Sequence, residues 1–141
     1  MAKLRSIFAG RDFRANLGRA MTCNEVRALV TDRLVTIGAH TVTHPILAGL
    51  DTAACHREIT ESKLACEALI GARVESFAYP YGEFDASSRT AVMVAGFGFA
   101  CSSRHGPIAA TSDVFALPRI HVRNCDGHAF ERALRSASAG L

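Results

Sequence analysis

The sequence predicts an α/β fold in which short parallel strands are covered by crossover helices. Three observations carry that expectation. Apolar, partly β-branched runs occupy 34–37, 74–79, 97–102 and 117–122, which gives about four strands. Longer amphipathic stretches lie between them, and turn-forming Gly, Pro, Asn or Asp marks most junctions. At 141 residues the chain is one domain by length, too short for a complete eight-stranded α/β barrel of about 250 residues. Strands that curve would form only part of a barrel. Such a sheet leaves an open edge, which a second copy or a partner chain would cover.

The first helix is expected after Thr22-Cys23-Asn24-Glu25, which has capping-box spacing ahead of Val26 to Val30. The run at 34–37 is expected as a buried strand that delivers His40 and His44 at its carboxyl end. Asp51 or Thr52 caps a longer helix whose stripe is Cys55, Ile59, Ser62, Cys66, Leu69 and Ile70, with Arg57, Glu58, Glu61, Lys63 and Glu67 facing water and Gly71 as its stop. The second strand enters the turn Tyr79-Pro80-Tyr81-Gly82. Asp85 caps the next helix, which ends near Gly96, and Asp126 caps a final helix from His128 to Arg135.

Composition narrows the functional classes. Hydrophobic residues make up 49% of the chain, and no apolar run approaches the roughly 20 residues of a membrane span. A net charge of +3 is too small to imply nucleic acid as partner. The start carries Lys3, Arg5, Arg11, Arg14 and Arg19 against Asp12, without the sustained apolar region of a secretory signal. It imitates a transit peptide or a nucleic-acid arm; a solvated basic connecting segment over 1–21 is the simpler expectation, and with it a cytoplasmic location. Five cysteines with no Cys-x-x-Cys spacing predict reduced, mostly buried thiols rather than a disulfide framework.

The stretch Gly38-Ala39-His40-Thr41-Val42-Thr43-His44-Pro45 carries the chemistry. Two imidazoles four residues apart can converge on one ion, and neutral histidine nitrogens suit zinc and similar borderline metals. Pro45 disfavours the α region at His44, which places the pair on a shaped loop or a frayed first turn rather than in a regular helix. The alternative is two ordinary loop residues. The pair alone supplies two ligands of a site that needs more.

Together with Phe77-Ala78-Tyr79-Pro80-Tyr81-Gly82 and Leu117-Pro118-Arg119-Ile120, in that order and spacing, this stretch resembles the polysaccharide deacetylase family, the NodB-homology or carbohydrate esterase family four. The resemblance implies a distorted (β/α) barrel, present here in part over 22–136, with a short tail at 137–141. It also implies a divalent metal, usually zinc, and hydrolysis of acetyl groups on amino-sugar oligo- or polysaccharides. By position, His40 and His44 are the expected metal ligands, and Tyr79, Pro80 and Tyr81 shape the substrate and oxyanion site. His121 is a loose match to the acid histidine, and Arg119 is a candidate for orienting the base.

The departures from the family pattern are specific. The motif Thr-Phe-Asp-Asp-Gly, which supplies the base and a carboxylate ligand, has no counterpart before Gly38, and Asp12 and Asp32 lack its context. Ala78 stands where many members carry arginine. The chain thus corresponds to the C-terminal part of a family member, and weak or no activity is expected of it alone. Glu83, Asp85, Asp113 and Asp126 are the carboxylates available to replace the missing ligand, although helix capping accounts for Asp85 and Asp126. Tyr79 and Tyr81 either stack on sugar or bury with a satisfied hydroxyl; His105 sits in a loop, and His56 and His128 are expected at helix surfaces. A non-catalytic remnant that binds carbohydrate or metal, or assembles with another chain, is the alternative to an enzyme.

Overall fold

Side chains that accept backbone amides set the helix starts. In the computed structural model, which describes residues 19–31, 34–122 and 124–138, Thr22 and Glu25 form the expected capping box at the start of α1, Cys23–Val30. The Asp51 carboxylate accepts the Ala53 and Ala54 amides and opens α2, Thr52–Ile70, which ends on Gly71 at φ 67°. A left-handed residue there is met at least cost by glycine. Asp85 opens α3, Ala86–Val94, in a reciprocal pair with Ser88, and the Asp126 carboxylate accepts the Ala129 amide at the start of α4, Gly127–Ser138. That last helix runs three residues past its expected end.

Three strands form one parallel sheet in the order β1 (Ser76–Ala78), β2 (Phe99–His105), β3 (Leu117–Arg119). Phe77 lies opposite Ala100, and Cys101 opposite Leu117. The expected first strand over 34–37 does not form. That segment runs without regular structure, with Val35 and Ile37 half-buried and Leu34 and Thr36 exposed, and only Ala39 bridges to Phe77. The reason is geometric: β1 begins at Ser76, so the residues ahead of Gly38 have no ladder to join. Two backbone bonds close the seam, from the Ala39 amide to the Ser76 carbonyl at 2.9 Å and from the Ala78 amide to the Ala39 carbonyl at 3.0 Å.

The core lies on one face of this sheet. Ala39, Phe77, Tyr79 and Ala100 meet Cys55 and Ile59 of α2 and Ala91 and Val92 of α3, with Leu47, Val74 and Phe97 closing the cluster. Each large apolar side chain contributes about 1.5–3 kcal/mol on burial. Ser76, Ala78 and Cys101 point to the opposite face and are only half-buried. Lys63, expected to face water, is instead buried. Its ammonium donates to the Val74 carbonyl at 2.9 Å and the Gly96 carbonyl at 2.8 Å and lies 4.3 Å from the Phe97 ring centre, tying α2 to the loops that flank β1 and β2. Snorkelling of the long stem makes this burial tolerable. The thiols are free, but Cys23 and Cys125 are exposed, so the expectation of mostly buried cysteines holds for Cys55 and in part for Cys66 and Cys101.

Asp85 joins two elements, because its carboxylate also accepts the Gly49 amide at 3.0 Å. Bonds from the Ser88 amide and hydroxyl, with that from Gly49, hold its carboxyl down at about 2, against an ordinary value of 3.8. A folded pKa below the ordinary one gives stability that is present above about pH 4 and lost as the pH falls toward 2. Asp85→Ala is expected to lose about 1–2 kcal/mol in urea unfolding at pH 7. Its loss relative to the wild type should shrink when the titration is repeated near pH 2; an equal loss at both values would exclude this assignment.

Candidate metal and substrate site

His40 follows the bridging Ala39 and so sits where the edge segment leaves the sheet. Its Nδ1 lies 2.7 Å from the Ala78 carbonyl. A carbonyl only accepts, so Nδ1 carries the proton and Nε2 keeps its lone pair free. Fixing one ring nitrogen on a backbone carbonyl is how metal-binding histidines are oriented. The His44 ring stands edge-on to His40 with centres 4.7 Å apart, and edge-on to Tyr81 at 4.8 Å.

The loop between the histidines is strained, and the strain is held. Thr41 (φ 62°), His44 (φ 59°) and Tyr81 (φ 58°) are the described non-glycine residues with positive φ; the first two lie in this loop and Tyr81 lies in the turn that packs against His44. For β-branched Thr41 this backbone region is a genuine outlier. Such residues persist only where surrounding contacts over-determine them. The Thr41 hydroxyl donates to the His40 carbonyl at 2.6 Å and accepts the His44 amide at 3.0 Å, spanning both histidines.

Glu58, read from the sequence as solvent-facing, closes the loop from α2. Its carboxylate accepts the Val42 amide at 2.8 Å, the Thr43 amide at 2.9 Å and the Thr43 hydroxyl at 2.7 Å. Partial desolvation pushes its carboxyl up, but these three bonds and nearby Arg57 outweigh it and leave the pKa below the ordinary range. The available signal was its place beside the apolar stripe, three residues after Cys55 and next to Ile59. Helix periodicity alone does not separate such a flank from the wet face.

Tyr79, Pro80 and Tyr81 divide between core and surface. The Tyr79 ring is buried, stacks on Phe84 at 4.6 Å, and donates its hydroxyl to the Phe115 carbonyl at 2.9 Å. Desolvation pushes that hydroxyl well above its ordinary pKa. Pro80 is buried, whereas Tyr81 is 62% exposed beside His44. Gly82, at φ 75°, packs so closely on Ser103 that a Cβ would collide with the Ser103 backbone.

Ser103 links this turn to the next strands: its hydroxyl donates to the Tyr81 carbonyl at 3.0 Å, and its own carbonyl lies 3.1 Å from His121 Nε2. His121 Nε2 is therefore the protonated nitrogen, and Nδ1 is left free. The His121 amide donates to His105 Nδ1 at 3.3 Å, and Arg119 donates from Nε to the Ser102 carbonyl at 2.8 Å. The carboxyl ends of β1, β2 and β3 thus carry Tyr81, Ser103, Arg119 and His121 in sequence, with His40 and His44 at the edge. No contact joins His121 to the His40–His44 pair among the described residues.

The donor set fits a borderline cation at two positions. No group of three or more His, Cys, Asp or Glu able to hold a metal occurs among the described residues. Asp85 and Asp126 are engaged as caps, Asp113 is forked on Arg89, and Asp12 and Asp32 lie outside the described residues.

Residues 14–100, more than half of the chain, match the polysaccharide deacetylase family, and the chain belongs to it. Among solved structures it is similar to the Streptococcus pyogenes deacetylase PplD in complex with acetate (TM-score 0.76, 16% identity, 85% of this chain and 53% of that one). It is also similar to a polysaccharide deacetylase from Bacillus cereus (TM-score 0.73, 20% identity, 84% and 38%) and to IcaB from Ammonifex degensii (TM-score 0.68, 18% identity, 93% and 57%). At these identities the likeness is one of fold. The chain spans between 38% and 57% of those three proteins. No curated protein sequence matches it.

Removing the Glu58 charge releases two loop amides that it now protects. Glu58→Gln is expected to speed hydrogen exchange at the Val42 and Thr43 amides by about tenfold or more, since bonds to a charged acceptor are worth about 1.5–3 kcal/mol. Exchange within twofold of the wild type would show that the loop does not depend on this carboxylate.

Proposed function

We propose that this chain carries the histidine half of a metal-dependent site that removes acetyl groups from N-acetyl amino sugars in an oligo- or polysaccharide. The observation that carries the reading is the oriented His40 imidazole beside His44 at the carboxyl end of the sheet edge. Parallel α/β sheets place ligands at that end. A divalent cation, zinc by the donor chemistry, would polarise the acetyl carbonyl and lower the pKa of a bound water toward about 7.

The chain's own residues supply part of the remaining chemistry. His40 offers Nε2, and the strained loop aims His44 toward it. Tyr81 would form one wall, its exposed ring meeting a sugar face and its backbone amide donating to the developing oxyanion. His121, held through Nε2 on the Ser103 carbonyl, presents the lone pair of Nδ1, which would first take up a proton, becoming imidazolium, and then pass it to the leaving amine. Arg119 positions the β2–β3 end through the Ser102 carbonyl. A site without its general base turns over about 10²–10⁴ more slowly, so slow but zinc-dependent acetate release is the expectation for this chain.

A second reading is a binding or assembly module without turnover. Its support is the donor set, two imidazoles and no third ligand among the described residues.

Zinc affinity of the full chain against a His40→Ala, His44→Ala double variant tests both readings. Stoichiometric zinc that the double variant loses, followed by zinc-dependent release of acetate from acetylated chito-oligosaccharide, supports the hydrolase. Zinc binding without acetate supports the module. Equal metal content in both proteins would refute the assignment of His40 and His44.

A further inference from the structure

Next to the Tyr81 turn lies a cleft that none of the chemistry above uses. It has a volume of about 310 Å³ and is lined by Phe84, Arg104, Ser112, Asp113, Ala116 and Pro118. Two covalent links fix its place. Phe84 follows the Pro80–Gly82 turn by two residues and stacks on Tyr79 beneath it. Arg104 directly follows Ser103, whose hydroxyl holds the Tyr81 carbonyl. The cleft is thus tied to the Tyr81 turn through Phe84 on one side and the Ser103–Arg104 segment of β2 on the other.

The charges in the cleft do not cancel. The Asp113 carboxylate is forked on Arg89 at 2.7 and 2.8 Å and also accepts the Phe115 amide at 2.9 Å, so its charge and lone pairs are engaged. The Arg104 guanidinium lies over the Phe84 ring, 5.7 Å from its centre, and forms no ion pair among the described residues. Arg89, Asp113 and Arg104 together leave one uncompensated positive charge. Ser112 accepts the Ala109 amide through its hydroxyl oxygen at 2.9 Å, which leaves the O–H to donate. The free polar groups are thus donors, one of them a planar cation against an aromatic floor.

We propose that this cleft is a subsite for a carboxylate-bearing sugar residue next to the acetylated one. The inference rests on the carbohydrate reading above and deepens it: the polymer is anionic. A guanidinium fork matches a carboxylate with two parallel bonds, and its ring contact with Phe84 holds the fork in one orientation.

The test is calorimetric binding of two tetrasaccharides to the full chain: neutral tetra-N-acetyl chito-oligosaccharide, and an alternating N-acetylglucosamine–glucuronate oligomer. The acidic oligomer is expected to bind about tenfold more tightly, with the preference shrinking as salt rises. Arg104→Gln is expected to abolish the preference while leaving the neutral affinity and the thermal midpoint unchanged, and Arg104→Lys to keep part of it. Equal affinity of the wild type for both sugars, or a preference that survives in Arg104→Gln, would overturn the subsite alone. Failure of both sugars to bind the wild type would overturn the carbohydrate reading and the subsite with it.

Discussion

Everything that makes this sheet edge chemical depends on one short seam, the pair of backbone hydrogen bonds that join Ala39 to Ser76 and Ala78. Only one residue of the edge segment pairs, yet that residue is the one before His40. The next carbonyl along β1 then receives the His40 ring, so the backbone that ends the pairing also sets the tautomer of the imidazole. A slip of one residue would turn His40 toward the core and Ala39 outward, because side chains alternate along an extended chain. The buried Ala39, packed with Phe77 and Tyr79, resists that slip.

Beyond the seam the loop is bound by polar contacts rather than by packing. Three positive-φ residues sit within one cluster: the Thr41 hydroxyl restrains Thr41 and His44, Ser103 holds the Tyr81 carbonyl, and Glu58 from α2 pins Val42 and Thr43 between the histidines. Strain of this kind amounts to about 1–3 kcal/mol per residue. The helices meet that demand indirectly. Asp51 and Gly71 fix the ends of α2, Lys63 fastens it to the loops beside the sheet, and α2 in turn presents Glu58.

The caps at Thr22, Asp51, Asp85 and Asp126 and the stop at Gly71 were all legible in the sequence, because each is a local bargain between a side chain and nearby amides. The histidine loop was legible for the same reason, since Pro45 acts on its neighbour. The family resemblance was carried by three short motifs, and the match over 14–100 establishes it. What was not legible depends on contacts distant in sequence. The run at 34–37 has the composition of a strand but no neighbour to pair with. Lys63 and Glu58 look like surface charges on a helical wheel until the chain brings the Val74 carbonyl and the Thr43 amide against them. Tyr79 and Tyr81 are alike in composition and two residues apart, yet the turn sends one into the core and the other into solvent.

The Ala78 carbonyl holds the His40 ring protonated at Nδ1 and open at Nε2. Long-range nitrogen–proton correlation NMR of the histidine rings at neutral pH measures this directly. A single Nδ1–H tautomer is expected for His40, with zinc shifting its Nε2 resonance and leaving Nδ1 protonated. An Nε2–H tautomer for His40, or the averaged signature of a freely exchanging imidazole, would contradict it.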